Sequence, residues 1–137
     1  MIKIADLSFE TAMARIWKDP SDDSDCWRIS VSGVPSNILG EEWRPRFYWE
    51  DLRVPGVVAS EGLPDREVRW GSVDIDKFEA NPMLFVFEHL PVSEGHLRFG
   101  ALTSTEIEIS IVGLCDVYFG EYSTDLPFEV KANLRFE

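Results

Sequence analysis

Between Phe128 and Glu137 every second residue is apolar: Phe128, Val130, Ala132, Leu134 and Phe136 alternate with Glu129, Lys131, Asn133, Arg135 and Glu137. A period of two sends the two sets to opposite sides of an extended chain, so the segment predicts a strand with one face in a core and one in water. Upstream, Ile107, Ile109, Ile111, Gly113, Cys115, Val117 and Phe119 hold one face of a longer strand, and Glu106, Glu108, Ser110 and Asp116 hold the other. Gly113 within that run predicts a bulge or a close backbone approach. Two such strands require a partner layer or a curled sheet to cover their apolar sides.

If the two strands pair antiparallel, slipping by one residue would turn every side chain to the wrong face, which limits the registers. One allowed register sets Asp116 opposite Glu129. Another sets Asp116 opposite Lys131 and Cys115 opposite Ala132, and cross-strand electrostatics prefer it, leaving Gly120 to Pro127 as loop. His96 to Leu102, with Leu97, Phe99 and Ala101 on one side, joins through the turn Thr103 to Thr105, which makes a three-stranded meander and puts Arg98 diagonal to Glu108.

Earlier, Trp27, Ile29 and Val31 alternate with Arg28, Ser30 and Ser32, and Ala12 to Lys18 pairs with that strand across the turn-rich DPSDDSD segment. Helical spacing of Phe9, Met13, Ile16 and Trp17 is the competing reading of the first strand. Val68 to Ile75 and Met83 to Glu88 read as further strands, with one helical turn over Asp76 to Asn81 before Pro82. Pro35 to Asp65, rich in Gly and Pro, reads as irregular except for Phe47 to Trp49. About seven short strands predict an all-β, mainly antiparallel single domain, a β-sandwich or a partly open barrel with at most one or two short helical turns.

The chain of 137 residues carries 25 Asp and Glu against 13 Lys and Arg, a net charge of −12. With 45% hydrophobic residues it is not the composition of a disordered acidic tail. Most of the acids are expected on the solvent faces of strands. Such a charge repels phosphate backbones and anionic lipid, so neither nucleic acid nor membrane is an expected partner, and it speeds encounter with basic proteins. The first residues carry Asp6 and Glu10 without an apolar run of signal length, and the two cysteines, Cys26 and Cys115, have no metal or redox spacing. A cytoplasmic protein with reduced thiols is the expectation.

Arg and aromatic residues interleave in Trp43, Arg44, Pro45, Arg46, Phe47, Tyr48, Trp49, the residue types enriched in binding hot spots. Trp43, Arg44, Arg46, Tyr48 and Trp49 are therefore candidate contacts for a partner or ligand, beside the plainer reading of a strand that buries Phe47 and Trp49. Flanking Glu41, Glu42, Glu50 and Asp51 make the segment unattractive to nucleic acid. Glu106 and Glu108, two apart on one strand face, are candidates too, since paired carboxylates serve acid–base chemistry, although alternation with isoleucine alone would require polar residues there.

Asp19, Asp22, Asp23 and Asp25 lack the glycine and terminal glutamate of a calcium loop. Asp74 and Asp76 are close enough along an extended chain to share a cation, and His89 and His96 are wrongly spaced for a helical ligand pair. Phosphate-loop, dinucleotide and nucleophile-elbow motifs are absent from the sequence, and no metal or cofactor is expected. The leading expectation is a non-enzymatic acidic binding module, of inhibitor or immunity type, that neutralises a basic protein. Its alternatives are a small-ligand binder or enzyme using an aromatic and carboxylate pocket, and a structural subunit of an oligomer.

Overall fold

A computed structural model describes residues 1–19, 25–38, 40–71, 82–86, 89–118 and 122–137. Its strands are β1 (Ile2–Ile4), β2 (Leu7–Phe9), β3 (Thr11–Lys18), β4 (Cys26–Gly33), β5 (Ser36–Ile38), β6 (Glu41–Trp43) and β7 (Arg46–Arg53). After a short 3₁₀ turn at Ser60–Gly62 follow β8 (Glu67–Trp70), β9 (Met83–Phe85), β10 (His89–Pro91), β11 (Glu94–Leu102), β12 (Glu106–Tyr118) and β13 (Tyr122–Phe136). The fold is all-β and mostly antiparallel. One sheet runs in the order β10-β9-β7-β4-β3-β13-β12-β11-β8, with β1 and β2 added beside β13, and β5 and β6 form a separate hairpin.

Contacts across the interior show how this sheet curls into a half-barrel rather than splitting into a sandwich. Trp49 on β7 meets Trp70 on β8 edge-on, with ring centroids 5.0 Å apart, although these strands lie toward opposite ends of the sheet. Phe47 likewise stacks on Phe128 of β13 at 5.9 Å. At the seam the chain crosses from edge strand β10 to β11 through Val92 and Ser93. Val92 N–H donates to Pro82 O, Ser93 N–H donates to Leu114 O, and the Trp70 indole donates to Val92 O at 3.0 Å.

Two glycines make room for the aromatic residues. Gly95 pairs with both Trp70 and Gly113, and a Cβ on Gly95 would stand 2.6 Å from the Trp70 ring. A Cβ on Gly113 would press on the Glu94 carbonyl and on the Phe128 ring. The close approach expected at Gly113 is therefore present, as a row running Trp70, Gly95, Gly113, Phe128 across four strands. Gly95 shares the inward parity of Leu97 and Phe99, so the large rings fill the concave side over bare backbone.

The meander β11–β12–β13 is as read from the sequence, but its register is not. Cys115 faces Leu126, Ser110 faces Lys131 and Val112 faces Glu129, so Asp116 stands opposite neither Lys131 nor Glu129. The apolar faces still match; the strand has slid by an even step. The expected register would have left Glu106 to Ser110 beyond the end of β13, whereas the observed one pairs β12 from Glu106 to Tyr118. A longer ladder outweighs one cross-strand ion pair of about 0.2–1 kcal/mol. Asp116 sits at an irregularity and accepts from the Asp125 N–H at 3.0 Å.

The expected loop over Gly120 to Pro127 is mostly strand. Pro127 is tolerated because it faces Leu114, whose carbonyl turns away to Ser93, so this pair exchanges no ladder bond. The middle segment is also more regular than expected, since it supplies β5, β6 and an eight-residue β7. Ala12 to Lys18 is strand, paired antiparallel with β4, not helix. The expected helical turn at Asp76 to Asn81 and most of the strand after Trp70 lie outside the described residues.

Among the described residues 11 of the 18 Asp and Glu lie on strands. Ten of the 13 Lys and Arg lie there too, so the strands are nearly neutral. The outer face interleaves Arg15, Arg28, Arg98 and Arg135 with Glu106, Glu108 and Glu129, because cross-strand neighbours of opposite sign are favourable. Off those strands the described acids are Asp6, Glu10, Asp19, Asp25, Glu61, Asp65 and Glu137. No helix among the described residues is long and apolar enough to cross a membrane.

Both cysteines are buried and unbridged. Burial pushes each thiol up to about 12, reinforced at Cys26 by the hydrogen bond to Asp51 and at Cys115 by the charge of Asp116. Unfolded thiols ionise near the ordinary value of 9.0, so above that pH the unfolded state binds fewer protons and folding stability falls toward pH 12. The expected loss is up to about 1.4 kcal/mol per thiol per pH unit. Urea unfolding of the protein and of Cys115→Ala, compared from about pH 8.5 to 10.5, checks this: the variant should lose stability less steeply, and parallel curves would refute it.

Candidate binding surface

The WRPRFYW segment begins at the separate hairpin and ends in the main sheet. Gly40 at φ 82° turns the chain between β5 and β6, a left-handed conformation suited to glycine. Ser36 pairs with Trp43, Asn37 with Glu42 and Ile38 with Glu41. A two-stranded hairpin is weak in isolation, so its anchor matters. That anchor is Trp43, which is 1% exposed and stacks on Phe9 at 6.0 Å.

This burial corrects the reading of Trp43 and Trp49 as surface contacts. Trp43 joins the hairpin to β2, and Trp49, 6% exposed, packs against Trp70 inside the sheet. The sequence could not separate a hot-spot tryptophan from a core tryptophan, but strand parity favours the core for Trp49, together with Phe47. Arg44, Arg46 and Tyr48 remain at the surface. Arg44 bonds Glu42 at 2.7 Å, and Arg46 lies 4.7 Å over the Tyr48 ring while its Nε donates to Ser30 Oγ. Burial raises the Tyr48 phenol above its ordinary value, opposed by Arg46 and reinforced by Glu50.

Residues distant in sequence complete the surface around the hairpin. Val34 N–H donates to Glu10 O at 2.7 Å, and Gly33 N–H donates to Pro45 O at 2.8 Å, tying the β2–β3 link and the end of β4 to the segment before β7. The exposed side chains there include Glu10, Val34, Pro35, Asn37, Glu41, Glu42 and Arg44. A small apolar centre, Val34 and Pro35, is thus set among three acids. Sequence reading missed Glu10 and Val34 because backbone bonds between separate segments bring them there; Gly40 was the one local sign of the hairpin.

Glu106 and Glu108 are elsewhere. Register runs a row across the outer face from Tyr48 to Ser30, Arg15, Arg135 and Glu106, so Tyr48 and Glu106 are four strand spacings apart, about 19 Å. They share a face but no pocket. Glu106 borders a depression with Met13, Arg15 and Arg135, whereas Glu108 lies over Gly100 beside a second depression lined by Arg98 and Lys131. The two carboxylates have separate surroundings and do not form an acid–base pair around one cavity. Arg98 is diagonal to Glu108, as the short turn implied, although it lies 3.9 Å from Glu67 on β8.

Among the described residues no three His, Cys, Asp or Glu side chains gather as they would to hold a metal ion. Asp19 pairs with Arg28 at 2.9 Å and Asp25 with Arg53 at 3.9 Å, while Asp22, Asp23, Asp74 and Asp76 fall outside the described residues, as does the His89 side chain. His96 lies 3.4 Å from Glu67. Compared with protein-family models, curated proteins and solved structures, the chain matches none, so the reading of this surface rests on its own geometry.

Proposed function

We propose that this chain is a non-enzymatic binding module that holds a basic protein at the acidic end built around the β5–β6 hairpin, in the manner of a neutralising inhibitor. The observation that carries this reading is local: Glu10, Glu41 and Glu42 are all exposed at the hairpin end, Glu42 being paired with Arg44 at 2.7 Å. With a net charge of −12 the molecule as a whole attracts a basic partner, and exposed acids at this end supply local contacts. At the hairpin end, Glu10, Glu41 and Glu42 surround the exposed Val34 and Pro35, an apolar centre with a charged rim. Arg44, Arg46 and Tyr48 flank that end, and Trp43 supports it from inside. A cytoplasmic location belongs to the same proposal and is supported by two buried, unbridged thiols.

Affinity capture on the immobilised protein, with each captured species then purified and titrated, tests it. A genuine partner is basic, and its affinity falls at least about tenfold between about 50 and 500 mM salt and again in Glu41→Lys/Glu42→Lys. Affinity indifferent to both salt and charge reversal would overturn the proposal.

A further inference from the structure

At the opposite end of β3 from the hairpin, a cavity of about 380 Å³ opens between the end of the sheet, the 3₁₀ turn and the β11–β12 turn. Its walls include Trp17, Trp27 and Phe136 from three strands, with Glu61 and Ser104 on the rim. The volume falls within the range of small-ligand clefts, roughly 300–1,000 Å³, and the mouth of a curled sheet is a common place for one.

The wall chemistry narrows the ligand. Lys18 Nζ stands 4.8 Å over the Trp27 ring and donates to Val58 O at 3.1 Å, while Trp27 Nε1 donates to Val57 O. These bonds fix Trp27 and put a positive charge in the wall, which repels a cationic ligand. The lining also includes Glu61, for which no ion pair is formed among the described residues, and it repels an anion. Glu137, also at the rim, is paired with Arg15 at 3.3 Å. The lining therefore balances near neutrality while offering aromatic faces beside a carboxylate and hydroxyl groups.

We infer that this cavity binds a neutral, hydroxyl-rich ring ligand, a saccharide unit, with its C–H face against Trp17 and its hydroxyl groups donating to Glu61 and exchanging bonds with Ser104. Aromatic ring faces are electron-rich and attract the slightly positive C–H hydrogens of a sugar. A carboxylate accepts from two neighbouring hydroxyl groups without requiring charge on the ligand. The site is separate from the hairpin end: β3 spans eight residues, about 23 Å between its first and last Cα.

Tryptophan fluorescence and isothermal titration with a panel of glucose, galactose, N-acetylglucosamine and maltose test it. The expected result is saturable binding of at least one neutral sugar with Kd on the order of 1 mM, weakened about tenfold or more by Trp17→Ala and by Glu61→Ala. Circular dichroism and thermal unfolding confirm that both variants fold, and Glu41→Lys/Glu42→Lys should bind the sugar unchanged, which separates this site from the proposed protein interface. The inference is overturned if no neutral sugar binds up to about 50 mM, if the folded Trp17→Ala or Glu61→Ala variant binds as tightly as the parent, or if glucosamine or glucuronate binds in preference to the neutral sugars.

Discussion

Gly113→Val is expected to be the most damaging single substitution in the sheet, lowering stability by about 3 kcal/mol or more, since forced overpacking costs 1–3 kcal/mol and occasionally more. Gly113 lies between the Glu94 carbonyl and the Phe128 ring, and a Cβ would come 2.7 Å from Cε1 of that ring. Phe128 cannot simply move away, because Phe47 stacks on it from the facing side of the half-barrel. Nor can Glu94 move alone, because it belongs to β11, paired with β12 at this point. A shift on either side would therefore pass into neighbouring strands. Urea unfolding should show the midpoint displaced to lower denaturant, with Gly71→Ala as control: Gly71 has nothing within 4 Å of its Cβ position, so that change should be nearly neutral. Equal stability of the two variants would mean that the glycine row does not hold the rings as described.

Trp43→Ala, in the separate hairpin, is expected to cost at least as much, about 3–5 kcal/mol, as for other fully buried large aromatic residues. Its stacking partner Phe9 would lose the ring that covers it, and the hairpin would lose the side chain that ties it to β2. The damage should therefore be concentrated locally. Amide hydrogen exchange should accelerate most across Ser36 to Trp43, while β12 and β13 keep their order of protection. Partner binding would also weaken, but through loss of the platform and not of a contact. An exposed contact residue predicts the opposite pattern, with stability unchanged and binding lost, so the two measurements together discriminate between the roles.

The legibility of this fold differs from one segment to the next for physical reasons. Phe128 to Phe136 was readable because each residue's face is set by parity, and parity survived the error in register. The sliding of β13 past β12 was not readable, because every even step satisfies the same face rule and only the whole ladder's length decides among them. Pro127 concealed the first part of β13, since its permission to sit in a strand depends on where the Leu114 carbonyl points. Ile2–Ile4 was passed over because three residues carry little periodic signal, and its place beside Val130 is a contact across almost the full chain.

The candidate surface was only half legible. Interleaved Arg and aromatic residues in WRPRFYW marked the right neighbourhood, and Arg44, Arg46 and Tyr48 do face outward. Local sequence did not show that Trp43 would turn inward onto Phe9, which lies in another segment. Glu106 and Glu108 were correctly placed on an outer face, yet nothing local could tell that Arg135 would stand opposite one and Gly100 beside the other. The excess charge was visible as a total. Which acids gather at the hairpin end depended on backbone bonds between separate segments.

The position of β13 sets an order of events during synthesis. It follows every other described strand along the chain, yet it lies inside the sheet, against β12 on one side and against β1 and β3 on the other. On a ribosome, β1–β2 and β3–β4 emerge long before the strand that joins them to the β11–β12 pair. Until then the emerging chain is three groups of sheet strands, β1–β2, β10-β9-β7-β4-β3 and β12-β11-β8, with exposed edges able to recruit chaperones or to pair with other chains. Closure must await the last strand, and a nascent chain halted before it should remain sensitive to protease until those residues are released.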